Sequence, residues 1–123
     1  MSKRILIVDD EPAFLLGINK IMKPMGAILD LTDNREEAER LLAQTTYDIV
    51  ISDLRLTGVQ SEDGWDILRR AKEKNPQTPC ILITGYGSAD VREKAMRLGV
   101  AYYFEKPVAP EALLQALKAL GLK

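Results

Sequence analysis

A chain of 123 residues holds one compact domain with a single core and leaves no room for a second folded unit. Its 17 basic and 18 acidic residues give a net charge of −1, so no global basic field draws it onto nucleic acid or anionic lipid. Cys80 is the only cysteine and histidine is absent, which excludes an internal disulfide, starves a zinc site of ligands and leaves oxygen donors as the available metal chemistry.

The first apolar run, residues 5–8 after Met1-Ser2-Lys3-Arg4, is too short for a signal peptide, and no run approaches a membrane span, so a soluble, cytoplasmic protein is expected. That run reads as a first strand. A helix follows over residues 12–23, opened by Pro12 and burying Leu15, Ile18 and Met22. A second strand at 27–31 leads to a helix beginning at Asn34, where Glu37 three residues on suggests a capping box and Ala38, Leu41 and Leu42 form the apolar face. The third strand, 49–52, precedes a helix from Asp63 to Lys74 that stops before Asn75-Pro76. The fourth, 80–83, precedes a helix from Ser88 to Leu98 closed by Gly99. The fifth, 101–104, precedes a helix starting at Pro110-Glu111 with Leu113, Leu114, Leu117 and Leu120 on its apolar side. Regular βα alternation predicts a mostly parallel sheet with helices on both faces, each reached by a right-handed crossover. The whole chain, 1–123, is expected to form that one domain.

In an open parallel sheet, ligands bind beyond the carboxyl ends of the strands, where the strand order reverses. Asp9-Asp10-Glu11 ends the first strand, Asp53 the third, Thr84-Gly85 the fourth and Lys106-Pro107 the fifth. Singly, each has a plain alternative: acids that complement a helix N-terminus, an Asp53 that caps a loop, a solvated Lys106, a Thr84 with a local hydrogen bond. Together they make a different object. Carboxylates crowded without a counter-charge raise one another's pKa, so Asp9, Asp10 and Asp53 call for a cation. Magnesium, which favours a few carboxylates, waters and phosphate oxygens, suits such a sparse oxygen site, with manganese as a substitute. Lys106 and Thr84 add a positive charge and a hydroxyl donor for an anion beside the metal, the makings of a phosphoryl site.

The run Ile5-Leu6-Ile7-Val8-Asp9-Asp10-Glu11, Asp53 near mid-chain, Thr84-Gly85 and Lys106-Pro107 resembles the signature of response-regulator receiver domains of two-component signalling, and the resemblance covers nearly the entire chain. It implies a flavodoxin-like (βα)5 doubly wound sheet of strand order 2-1-3-4-5, the order for which a receiver serves as an example. It further implies a phosphorylation-dependent switch, not a turnover enzyme, that accepts a phosphoryl group on Asp53 from a sensor histidine kinase, a phosphorelay protein or a small phosphodonor. Asp10, Asp53 and the backbone carbonyl of Arg55 would ligate magnesium, with Asp9 acting through water. Lys106 would pair with the acceptor and then with the phosphoryl oxygens, Thr84 would swing inward to them, and Tyr103 would follow as the switch aromatic, changing the surface of the fourth helix, fifth strand and fifth helix. Partners implied are the kinase or phosphotransfer protein and a downstream effector or an output domain absent from this chain, with no direct nucleic-acid or membrane contact and with a monomer or phosphorylation-promoted dimer as the assembly.

Departures from the family pattern are local. Thr57 stands where receivers usually have proline, and the stretch from Asp53 to Gly64 is longer by about three residues, which reshapes the rim of the site. Glu62, Asp63 and Asp66 are expected to favour the third helix's N-terminus, Trp65 to be a partly buried packing residue, and Tyr102 to face away from Tyr103. Val108 replaces a common phenylalanine. Arg55 and Tyr86 lie two residues beyond Asp53 and Thr84, positions that the resemblance implies overlook the attacking water, and are candidates for slowing hydrolysis of the phosphorylated form. A haloacid-dehalogenase-type phosphatase would need an acid where Arg55 stands, a flavodoxin a Ser/Thr-rich phosphate loop where Asp9-Asp10-Glu11 stands, and a P-loop hydrolase a Gly-rich loop ending in Lys-Ser or Lys-Thr. The rival from another class is a pseudo-receiver, a protein-interaction module of the same fold that is never phosphorylated.

Overall fold

The computed structural model describes residues 3–56 and 62–122. Five strands, β1 (Arg4–Val8), β2 (Ile28–Thr32), β3 (Ile49–Asp53), β4 (Cys80–Thr84) and β5 (Tyr102–Glu105), alternate with five helices, α1 (Pro12–Met22), α2 (Arg35–Gln44), α3 (Asp63–Lys74), α4 (Ala89–Leu98) and α5 (Pro110–Ala119). All strand pairs are parallel and the order is β2-β1-β3-β4-β5, the predicted flavodoxin-like arrangement. The first helix ends one residue earlier than its apolar period suggests, because Lys23-Pro24-Met25 tightens into a 3-10 turn that Gly26 closes at φ 77°.

Strand alternation divides the core into two layers. Ile5 and Ile7, Ile49 and Ile51, and Ile81 and Ile83 all point to one face, where Ile18 and Met22 of α1 and Leu113 and Leu117 of α5 cover them. The register stacks this isoleucine set across the sheet, Ile5 beside Ile49 and Ile51 beside both Ile7 and Ile81. Leu6, Val8, Val50 and Leu82 point the other way, against Ala38 and Leu42 of α2, Trp65, Leu68 and Ala71 of α3, and Ala95 of α4. Strands buried on both faces need such unbroken apolar runs, and β3 and β4 are buried at every position. Tyr103 packs on the second layer and Tyr102 on the first, as the alternation requires.

Helix ends keep the predicted capping residues, although the box at Asn34 is only half formed, since the Asn34 amide donates to Thr32 Oγ1 and the Glu37 carboxylate pairs with Arg40. Asn34 Oδ1 accepts a hydrogen bond from the Glu37 amide at 2.8 Å, Ser88 Oγ one from the Val91 amide at 3.1 Å, and Gly99 closes α4 at φ 82°. Two expectations around α3 change. Trp65 is buried, not partly exposed, because it inserts into the second layer beneath Lys94, whose ammonium lies 4.8 Å from its ring. Asp63 and Asp66, while standing in the first turn of α3, also grip Arg35 of α2 at 3.3 and 2.9 Å, so they tie two helices together. Glu62 makes no side-chain cap bond. Thr57 and the remainder of the long loop through Ser61 lie outside the described residues.

Gly64 fastens α3 to the strand end that carries Asp53. Its amide donates to the Leu54 carbonyl at 2.9 Å, and a Cβ there would lie 2.7 Å from Leu54 Cα and overlap the Asp53 carbonyl oxygen. Backbone on both sides leaves no side chain that can yield. Gly64→Ala is therefore expected to destabilise the fold by about 1–3 kcal/mol, measured as a fall in the urea midpoint; an unchanged midpoint would show that α3 can shift away at no cost.

Candidate functional site

The carboxyl ends of β1, β3, β4 and β5 bring together the residues that the sequence marks. Asp9, directly after β1, is 1% exposed, and its amide continues the ladder by donating to the Thr32 carbonyl at 3.0 Å. Its Oδ1 accepts the Glu11 amide at 2.9 Å, which bends the chain out of the strand and turns Asp10 to the surface. Asp53 closes β3, buried, with Oδ1 accepting the Leu54 amide at 2.7 Å. Carboxylate oxygens of Asp9, Asp10 and Asp53 all lie within 4.8 Å of one another.

Lys106 reaches into this cluster from beyond β5, its amide held by the Thr84 carbonyl at 2.8 Å and its peptide bond to Pro107 cis. Its Nζ stands 2.9 Å from Asp9 Oδ2 and 3.3 Å from Asp53 Oδ2, and it also pairs with Glu11 Oε1. The Phe14 ring lies 4.9 Å from the same ammonium. Burial alone would depress the Lys106 pKa, but hydrogen bonds to Glu11 and Asp9 and the charges of Asp9 and Asp53 outweigh it and hold the group above its usual range.

The acids are raised as well, which for them disfavours the charged form. Burial pushes the Asp9 carboxyl up to about 6, against the pull of Lys106 and the Glu11 amide and with the Asp53 charge adding to the rise. Burial raises Asp53 as well, opposed by Lys106 and by the Leu54 and Arg55 amides. One ammonium thus leaves the cluster short of positive charge. Asp9 Oδ2 is buried, and the ammonium 2.9 Å from it is shared with Asp53 and Glu11. An under-neutralised group of three oxygen donors, one exposed and two buried, fits a small hard divalent cation.

Thr84, the last residue of β4, is fully buried, and its Oγ1 accepts the Tyr86 amide at 3.0 Å. Arg55 and Tyr86, named together in the sequence for one role, also touch: the guanidinium lies 4.3 Å over the ring centre. With Asp10, Glu11, Asp53, Gly85 and Lys106 they line one cleft over the acids. Tyr103 stands apart, half-buried against α4, with its hydroxyl donating to Glu105 Oε2 at 2.8 Å and Arg92 over its ring at 5.0 Å. Sequence reasoning missed the reach of Glu11 to Lys106, 95 residues away, and the pairing of Tyr103 with Glu105. Only the period-2 spacing of Tyr103 and Glu105 on one strand carried any signal of either.

The family model for the response regulator receiver domain matches residues 5–118. Similar curated proteins include the transcriptional regulatory protein CusR of Escherichia coli strain K12, 33% identical over 95% of this chain and 50% of its own length. Another is the response regulator protein FleR of Pseudomonas aeruginosa, 33% identical over 98% of this chain and 25% of its own length. The chain therefore spans between a quarter and a half of these relatives. Among solved structures, a CheY-like response regulator receiver domain protein from Methanospirillum hungatei JF-1 superposes with a TM-score of 0.87 at 28% identity, covering 97% of this chain and 93% of that one. The signal receiver domain of an HD domain-containing protein from Pseudomonas fluorescens Pf-5 does so with a TM-score of 0.86 at 30% identity, covering 98% and 94%.

The raised Asp9 pKa has a consequence for stability. Asp9 holds its proton more tightly folded than unfolded, so without divalent cation its contribution to stability falls as pH rises from its ordinary 3.8 to about 6 and stays lowered above that. Asp9→Asn is expected to remove this fall and to make the cation-free protein more stable at neutral pH by about 1–3 kcal/mol. Denaturant titrations of both proteins across that window test it, and an Asp9→Asn protein no more stable than wild type at neutral pH would contradict it.

Proposed function

This chain belongs to the response regulator receiver domain family, and on that premise we propose that it is a magnesium-dependent switch that takes a phosphoryl group on Asp53. The observation that carries this reading is the Asp53 carboxylate at the carboxyl edge of β3, gathered with Asp9 and Asp10 within 4.8 Å and 3.3 Å from the Lys106 ammonium. In the transfer, an Asp53 oxygen forms a bond to phosphorus while the bond from phosphorus to the donor's imidazole nitrogen breaks, and that nitrogen leaves with the electron pair. Transfer of this kind depends on positioning and on neutralising the equatorial oxygens, and needs no further catalytic group. The chain would be a switch, not a turnover enzyme, acting on its own aspartate alone.

The Asp10 and Asp53 carboxylates and the Arg55 backbone carbonyl would hold magnesium, with Asp9 through water, and the ion would supply positive charge to the phosphoryl oxygens. Lys106, already at the acceptor, would supply the second charge, and the Thr84 hydroxyl would turn from the Tyr86 amide to the phosphoryl group. Each charge-assisted hydrogen bond contributes about 1.5–3 kcal/mol, and moving a population from 1:99 to 99:1 takes about 5.5 kcal/mol. Two or three such bonds, about 3–9 kcal/mol together, bracket that requirement. Thr84 is continuous with the loop into α4 and Tyr103 packs beside that helix, so the surface of α4, β5 and α5 would report the state of the site to an effector. The donor would be a sensor histidine kinase or phosphotransfer protein in the cytoplasm.

Incubation with magnesium and acetyl phosphate, followed by intact-mass measurement, is expected to add one phosphoryl group to wild type and none to Asp53→Asn. Absence of an Asp53-dependent adduct, together with absence of magnesium-dependent beryllofluoride binding, would instead identify a protein-interaction module of the same fold. The stacked Arg55 and Tyr86 side chains roof the cleft from which water would attack the acyl phosphate. Arg55→Ala and Tyr86→Ala are each expected to shorten the lifetime of the phosphorylated form, followed by loss of the adduct over time; unchanged lifetimes in both would remove them from that role.

A further inference from the structure

Four features meet beside β5. The Tyr103 hydroxyl donates to Glu105 Oε2 at 2.8 Å, two residues along the same face of the strand. The Ser88 backbone amide bears on the same hydroxyl, and the Arg92 guanidinium of α4 lies 5.0 Å from the centre of the ring. Gly87, in the loop between β4 and α4, is the seat of the pair: a Cβ there would overlap both the Tyr103 hydroxyl and the Glu105 carboxylate, whose Cδ would be 2.6 Å away. Glu105 is also the register partner of Thr84 and the residue before Lys106.

We propose that Gly87 and Glu105 form a latch that holds Tyr103 in its unphosphorylated position, which makes Glu105 a positioning residue for the switch. This rests on the reading of Asp53 as phosphoacceptor. A hydrogen bond connects the latch to the site. Thr84 Oγ1 accepts the Tyr86 amide, so turning the hydroxyl toward a phosphoryl group releases the backbone next to Gly87. Movement of Gly87 removes the seat on which the Tyr103 and Glu105 side chains meet. An intact latch therefore opposes activation, and a broken one favours the state that binds the phosphoryl group, whose apparent affinity scales with the fraction of competent molecules.

The test compares wild type with Glu105→Ala, which removes the acceptor, and Gly87→Ala, which displaces the pair at a position with an ordinary backbone conformation. Beryllofluoride with saturating magnesium is the probe, titrated by calorimetry. Both variants are expected to bind about three- to tenfold tighter than wild type, the range of one hydrogen bond's net contribution. In a Tyr103→Phe background, which lacks the hydroxyl, Glu105→Ala should bring no further gain. Unchanged or weaker binding in Glu105→Ala, or an equal gain in the Tyr103→Phe background, overturns the latch. Tyrosine-ring NMR without ligand separates the two readings. If wild type binds no beryllofluoride, the assignment of the site fails. The latch then stands or falls on whether Glu105→Ala shifts the Tyr103 ring resonances.

Discussion

The sharing of one ammonium, that of Lys106, among Asp9, Asp53 and Glu11 is the interaction on which the rest depends. Burying two carboxylates at neighbouring strand ends is unfavourable unless charge and hydrogen bonds offset it. The acids sit on β1 and β3, at the centre of the sheet, and the lysine arrives from beyond β5 at its edge. The ion cluster therefore joins the middle of the sheet to its outermost strand at a single point. Burial disfavours the charged form of Asp9, while the acids hold Lys106 charged.

The two apolar layers of the core are unequal in a way that matters for a switch. The isoleucine face is continuous across β1, β3 and β4 and is clamped by α1 and α5. On the opposite face, α3 buries Gly64, Trp65, Ile67, Leu68 and Ala71, whereas α4 buries only Ala95 and leaves Met96 exposed. Few buried apolar groups mean a low local cost of rearrangement. The helix least anchored to the sheet is the one that follows Thr84 and touches Tyr103. Rigid support lies beneath the acids, and compliance lies on the side of α4.

Much of this was legible in the sequence. Apolar periodicity located the five strands, three helices and the starts of α2 and α5 to within a residue because strands buried on both faces and helices with one apolar stripe leave strong, distinct patterns. Asp9, Asp10, Asp53, Thr84 and Lys106 were readable as a group because the parallel topology delivers every strand's carboxyl end to one edge. Illegible features depend on side-chain reach in three dimensions. Nothing in the local pattern sends Arg35 from α2 to Asp63 and Asp66 on α3, or Glu11 to Lys106, and the acids of α3 look like ordinary first-turn acids until the helices are packed. Gly64 was visible as a glycine but not as a point of backbone contact with Asp53.

Glu11 gives the charge arrangement a direction. In the state described, its carboxylate takes part of the Lys106 ammonium that Asp53 would otherwise hold more closely, and Asp53 Oδ2 is left at 3.3 Å. A phosphoryl group on Asp53 brings up to about two negative charges, a stronger claim on the same ammonium than an exposed carboxylate can make. Lys106 would then be drawn inward and Glu11 released to solvent. Because the Lys106 amide is bonded to the Thr84 carbonyl and Glu105 precedes it, that inward pull acts on the end of β5. Thr84 acts from the neighbouring strand end through its hydroxyl. Two pulls, one through a charge and one through a hydrogen bond, would therefore converge on Tyr103.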